Sequence, residues 1–163
     1  MRENILVVDD DAPVREVLET CLAYEGYHVI SAPNGRSALQ AIATARPDLV
    51  LLDVQMPDIS GWDLLSLLRR SGCHRDLPVI MLTGMSDAAS QAHGWRLDCT
   101  CYLAKPMDLN DLLLLVKRVL TGPNPQLVTT ASSSEGSAVL PNAASKRRPA
   151  GNRDGGSRLR PKG

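Results

Sequence analysis

Five side chains able to do phosphate or metal chemistry stand where short apolar runs end. Asp9 and Asp10 follow Ile5–Val8, Asp53 follows Leu49–Leu52, Thr83 follows Val79–Leu82 and Lys105 follows Cys101–Ala104. Three carboxylates brought to one edge repel one another and shift their pKa values unless a cation neutralises them. Magnesium suits that role, being a hard ion that binds through one or two carboxylates together with phosphate oxygens and water. A carboxylate at the centre of such a site can act as a nucleophile and form an acyl phosphate. A hydroxyl such as that of Thr83 can donate to one phosphoryl oxygen, while the ammonium of Lys105 neutralises another.

These residues share a site only if the fold brings the run ends together, and the elements between them predict that it does. Each apolar run reads as a strand buried on both faces. Between the runs lie helical spacings. Val14, Val17, Leu18, Cys21 and Leu22 recur after Pro13 and stop near Gly26; Gly35–Ala45 ends before Pro47; further helices are predicted at 62–70 and 86–97. The last helix starts after Asp108, a capping residue, and runs to about Leu120. Tyr27–Ala32 supplies the remaining strand. Strands alternating with helices predict an α/β, doubly wound, five-stranded parallel sheet with five helices, which binds ligands outside the carboxyl ends of its strands.

The motifs Ile-Leu-Val-Val-Asp-Asp at 5–10, Leu-Leu-Asp-Val-Gln-Met-Pro at 51–57 with Gly61, Met-Leu-Thr-Gly at 81–84 and Tyr-Leu-Ala-Lys-Pro at 102–106 occur in one order and spacing. In this respect residues 3–121 resemble the receiver domain of two-component response regulators, in particular the stand-alone, chemotaxis-type receivers. The resemblance implies a flavodoxin-like fold with strand order 2-1-3-4-5. It also implies Asp53 as phosphoacceptor, served by Thr83 and Lys105. Asp9, Asp10 and Asp53 become side-chain ligands of Mg2+, with the Gln55 main-chain carbonyl as a further ligand. Thr83 and Tyr102 look like the family's switch pair, Pro57 and Gly61 belong to its loop, and Lys105-Pro106 resembles its lysine followed by a cis proline. The implied phosphoryl donor is a histidine kinase or a histidine phosphotransfer protein. Before the fifth strand, Asp98-Cys99-Thr100-Cys101 departs from the family's usual pattern, which bears on how the preceding helix ends.

Composition sets bounds on the rest. Hydrophobic residues make up 44% and charged residues 22% of the 163, the proportions of a globular protein, and with no Phe the core must be filled by Leu, Ile and Val. No apolar run approaches the roughly 20 residues of a membrane span, and a cytoplasmic protein with reduced cysteines at 21, 73, 99 and 101 is expected. Cys99 and Cys101 are read as small packing residues, and His28, His74 and His93 follow no metal-ligand spacing.

The formal net charge of zero conceals a division after Thr121. Up to that point there are 11 Lys or Arg against 16 Asp or Glu; beyond it there are 7 against 2. The segment 122–163 is rich in Pro, Ser, Gly and Arg and too poor in apolar residues for a core, so a disordered basic tail is expected.

Two other functions are weaker. A phosphatase of the haloacid-dehalogenase type also uses an aspartyl nucleophile, but generally has a second Asp two residues on, where this chain has Gln55. A DNA-binding role through Lys146-Arg147-Arg148 lacks a recognition helix outside the receiver, and no aromatic residue accompanies the run. Output is expected through a protein target or a homodimer, on the face formed by the helix at 86–97, the fifth strand and the last helix. Leu109, Leu112, Leu113, Val116 and Leu120 take the core stripe of that helix, which leaves Leu114 and Leu115 partly exposed.

Overall fold

The computed structural model describes residues 2–84 and 99–122, and the backbone of 140–141. Five parallel strands form the sheet: β1 (Asn4–Val8), β2 (His28–Ala32), β3 (Leu49–Asp53), β4 (Val79–Gly84) and β5 (Cys101–Lys105). Their order is β2-β1-β3-β4-β5, the order predicted. Four helices accompany them among the described residues: α1 (Ala12–Tyr24), α2 (Gly35–Ala45), α3 (Gly61–Arg70) and α4 (Leu109–Thr121). The helix predicted at 86–97, and the question of how Asp98 ends it, lie outside the described residues.

Helix boundaries follow local chemistry. Asp11 accepts from the Val14 N–H at the start of α1, with Pro13 in the first turn; Asn34 accepts from Ser37 at α2, Ser60 from Asp63 at α3, and Asp108 from Asn110 at α4. Each oxygen satisfies an N–H that has no partner within its helix. Beyond α1 the chain turns at Gly26 with φ +94°, a conformation that costs glycine little.

The sheet divides the core in two. Alternate strand residues point to opposite faces, so Leu6, Val8, Val50, Leu52, Val79 and Met81 pack beneath α2 and α3. Ile5, Val7, Leu49, Leu51, Ile80 and Leu82 pack beneath α1 and α4. Burial on both faces is why the strands carry continuous apolar runs instead of alternating with polar residues.

Two findings correct the sequence-based expectation. The α4 residues buried against the sheet are Leu112, Leu115, Val116 and Val119; Leu115, expected to be partly exposed, is 2% exposed, whereas Leu114 is 57% exposed. The sheet also gains a sixth strand, β6 (Leu140–Pro141), drawn from the tail. It pairs antiparallel with β5, Leu140 opposite Tyr102 and Pro141 opposite Cys101.

Candidate phosphoacceptor site

Strand register brings the chemistry together. Val8 is level with Leu52, so Asp9 and Asp53 leave adjacent strands side by side. Asp53 is level with Leu82, Thr83 with Ala104 and Gly84 with Lys105. All five residues singled out in the sequence therefore lie at one carboxyl edge, where β1, β3, β4 and β5 run next to one another. Asp9, Asp53 and Thr83 are buried, Lys105 is partly covered and Asp10 is exposed.

The Lys105 ammonium donates to Asp9 Oδ2 at 2.6 Å and to Asp53 Oδ1 at 2.8 Å. One carboxylate oxygen from each of Asp9, Asp10 and Asp53 lies within 4.8 Å of the others. Asp9 is fixed further: its Oδ1 accepts from the Asp11 N–H at 3.0 Å, and its carbonyl accepts from the Arg15 guanidinium at 2.7 Å. An all-oxygen set of this kind, open on the side of exposed Asp10, fits a hard divalent cation that retains some water.

Burial raises the Asp53 pKa above its ordinary value of 3.8; the hydrogen bond and charge of Lys105 oppose this, and the charges of Asp9 and Asp10 add to it. For Lys105, burial acts to lower the pKa, but the hydrogen bonds and charges of Asp53 and Asp9 together outweigh it and leave it raised from 10.5. The lysine therefore stays charged, and it offsets only part of the negative charge around it.

The loop from Val54 to Ser60 closes over this edge. Its base is pinned by the Val54 N–H donating to the Leu82 carbonyl at 3.1 Å and the Gly61 N–H donating to the Val54 carbonyl at 2.9 Å. A Cβ at position 61 would lie 2.2 Å from the Asp53 carbonyl oxygen, so only glycine lets α3 begin this close to β3. Gln55 is exposed two residues past Asp53, and the Lys105-Pro106 peptide is cis, as the resemblance implied.

The Tyr102 hydroxyl is buried. The side chain lies on the α3 side of the sheet, its ring centroid 5.9 Å from that of Trp62 with the planes tilted by 55°. Burial foremost, then the nearby Cys99 thiol, pushes its phenol far above the ordinary value. Cys99 and Cys101 are both buried but pack on opposite faces of the sheet, Cys99 with Tyr102 and Cys101 beneath α1 and α4. They do not face each other, in keeping with separate packing roles.

No local sequence pattern singles out Asp58. Its carboxylate accepts from the Gly35 N–H through Oδ1 and from the Arg36 N–H through Oδ2, each at 3.0 Å, across 23 and 22 residues. The backbone bond from Gly35 leads the influences that lower its pKa, with bonds from Ile59, Arg36 and its own N–H also contributing.

A parallel sheet in this order, with an acidic edge bridged by a lysine, defines a class of aspartate-centred phosphoacceptor modules. Residues 5–117 match the family model described as the response regulator receiver domain, and the chain belongs to that family. It thus carries a two-component receiver domain, the signalling phosphoacceptor module of that family.

Among relatives, it is 37% identical over 135 residues to a probable transcriptional regulator, ycf27, of Cyanophora paradoxa, covering 82% of this chain and 55% of that protein. The crystal structure of a putative response regulator from Chloroflexus aurantiacus matches with TM-score 0.70 and 37% identity, over 74% of this chain and 98% of the other. The chemotaxis protein CheY4 of Vibrio cholerae matches with TM-score 0.70 and 31% identity, over 74% of this chain and all of the other. The chain spans about half the length of the curated relatives it matches. Among the described residues, no helix is long and apolar enough to cross a membrane.

Proposed function

We propose that Asp53 accepts a phosphoryl group from a histidine kinase or a histidine phosphotransfer protein, with Mg2+ held by Asp9, Asp10, Asp53 and the Gln55 carbonyl. The observation that carries this reading is the Lys105 bridge to Asp9 and Asp53 with Asp10 alongside. A bound magnesium ion supplies charge neutralisation for the carboxylates and the incoming phosphoryl oxygens.

Lys105 holds Asp53 Oδ1, which leaves Oδ2 clear of that contact for attack. The attacking oxygen forms a bond to phosphorus as the bond from phosphorus to the donor's imidazole nitrogen breaks; the electron pair stays on that nitrogen, which takes up a proton from solvent. Lys105 then stabilises charge on the transferred group, and Thr83, one residue beyond the partner of Asp53 on β4, donates its hydroxyl to a phosphoryl oxygen. Thr83 and Tyr102 serve as the switch pair, coupling the phosphoryl group to the Trp62 packing.

The receiver spans 3–121 and 122–163 form a tail. Output passes through protein contacts, to a target or a second copy, on the face of 86–97, β5 and α4. Free cysteines at 21, 73, 99 and 101 suit the reducing cytoplasm.

Incubation with acetyl phosphate and magnesium should add one phosphoryl group by intact mass, removable by hydroxylamine and absent from Asp53→Asn. Undiminished labelling of that variant would place the acceptor elsewhere.

A further inference from the structure

Helix α2 has its free N–H groups filled in an unusual way. Asn34 takes the Ser37 N–H at 2.8 Å from within the helix cap, but Gly35 and Arg36 donate to Asp58, a residue of the β3–α3 loop. The first turn of a helix leaves such groups in need of acceptors, and a local side chain normally supplies them. Here the acceptor comes from the loop that begins immediately after the phosphoacceptor. Steric contact reinforces the polar one: a Cβ at Gly35 would lie 2.9 Å from the Ile59 Cβ, so the loop and the helix start already touch.

We propose that Asp58 is a positioning residue for the site: by clamping the middle of the loop to α2 it steadies the segment whose Gln55 carbonyl would help hold magnesium. The inference rests on the magnesium reading given above. The two N–H groups bound to Asp58 belong to a helix packed on β1, the strand at whose end Asp9 and Asp10 stand. The clamp therefore ties the loop that carries Gln55 to the strand that ends in two of the three carboxylates. Without it, the loop keeps its two pinned ends, Val54 and Gly61, and loses the restraint between them. The Asp58 carboxylate is exposed and touches none of the reacting groups, so its effect falls on ligand geometry and not on the transfer itself.

Calorimetric titration with magnesium alone tests this. Asp58→Ala should raise the dissociation constant about tenfold, the low end of what losing an outer partner of a metal ligand does, and Asp58→Asn, which keeps one acceptor oxygen, should fall between. Saturating magnesium should restore the acetyl phosphate labelling rate of Asp58→Ala to that of wild type. Asn34→Ala, which uncaps α2 without touching the loop, should lower the melting temperature and leave magnesium affinity as in wild type.

Equal affinity of wild type and Asp58→Ala would overturn the inference alone. So would an equal loss in Asn34→Ala, because helix capping by itself would then explain the effect. Absence of magnesium binding by wild type would remove the magnesium reading and this inference together.

Discussion

Asp53 sits under opposing influences, and their balance has a measurable sign. Its pKa is raised in the folded protein, so between 3.8 and that raised value the native state holds a proton that the unfolded chain has released. Stability consequently falls as pH rises through this window, and above it the cost stays constant. Asp53→Asn removes the titration. In metal-free protein it should melt at a higher temperature than wild type near neutral pH, with the difference shrinking as pH falls toward 3.8; a difference independent of pH would show that the carboxylate is not held at a cost. The five site residues were legible in sequence because each marks an abrupt change from apolar strand to polar group, and in a parallel sheet those changes share an edge. Asp58 was not legible, because its partners are 22 and 23 residues away and no local pattern connects them. Tyr102 was placed on the right strand, but the burial of its hydroxyl and the tilt of its ring against Trp62 depend on packing that only the assembled fold supplies.

The α4 helix shows how a correct stripe can be drawn too narrow: Leu109, Leu112, Leu113, Val116 and Leu120 all pack on the core as expected, but the buried arc also takes in Leu115 and Val119. Four consecutive leucines, 112 to 115, fit the helical repeat in more than one rotation. The polar residues decide: Asn110, Asp111, Lys117 and Arg118 are exposed, and Leu114 falls among them on the same face. Leu115 lies on the buried arc with Leu112, Val116 and Val119. Truncation should separate the two. Leu115→Ala should cost about 2 to 5 kcal/mol in denaturant unfolding, the range for emptying a core leucine site, while Leu114→Ala should stay within about 0.5 kcal/mol of wild type. Similar losses from both would mean that the buried arc of α4 does not separate Leu115 from Leu114. The first two helices were legible from their punctuation, Pro13 and Gly26 around α1 and Pro47 after α2, and Asp108 marked the start of α4 itself; the caps Asp11, Asn34 and Ser60 emerged only with the fold.

At the scale of the whole molecule, Leu114 is an apolar side chain left outward on a helix that borders the β5 edge. A lone exposed leucine is ordinary, but one on the proposed output face makes a specific probe. Leu114→Arg should keep the fold and acetyl phosphate labelling yet abolish phosphorylation-dependent self-association in sedimentation. Unchanged association across a concentration series would place the contact elsewhere. Burial of the strands on both faces made the layered architecture readable from composition and periodicity, whereas the pairing of the tail with β5 was hidden, because Leu140 and Pro141 stand in a segment with no strand pattern of its own. That pairing bears on how the sheet ends. A bare edge strand offers its backbone as a template on which foreign strands can polymerise, and proteins blunt such edges with very short strands and with proline. β6 combines both devices: it is two residues long, and Pro141 has no N–H to offer outward. Among the described residues the sheet thus ends on a strand of two residues, one of them proline, and a chain cut before Leu140 should be the more prone to fibrillar, edge-to-edge growth.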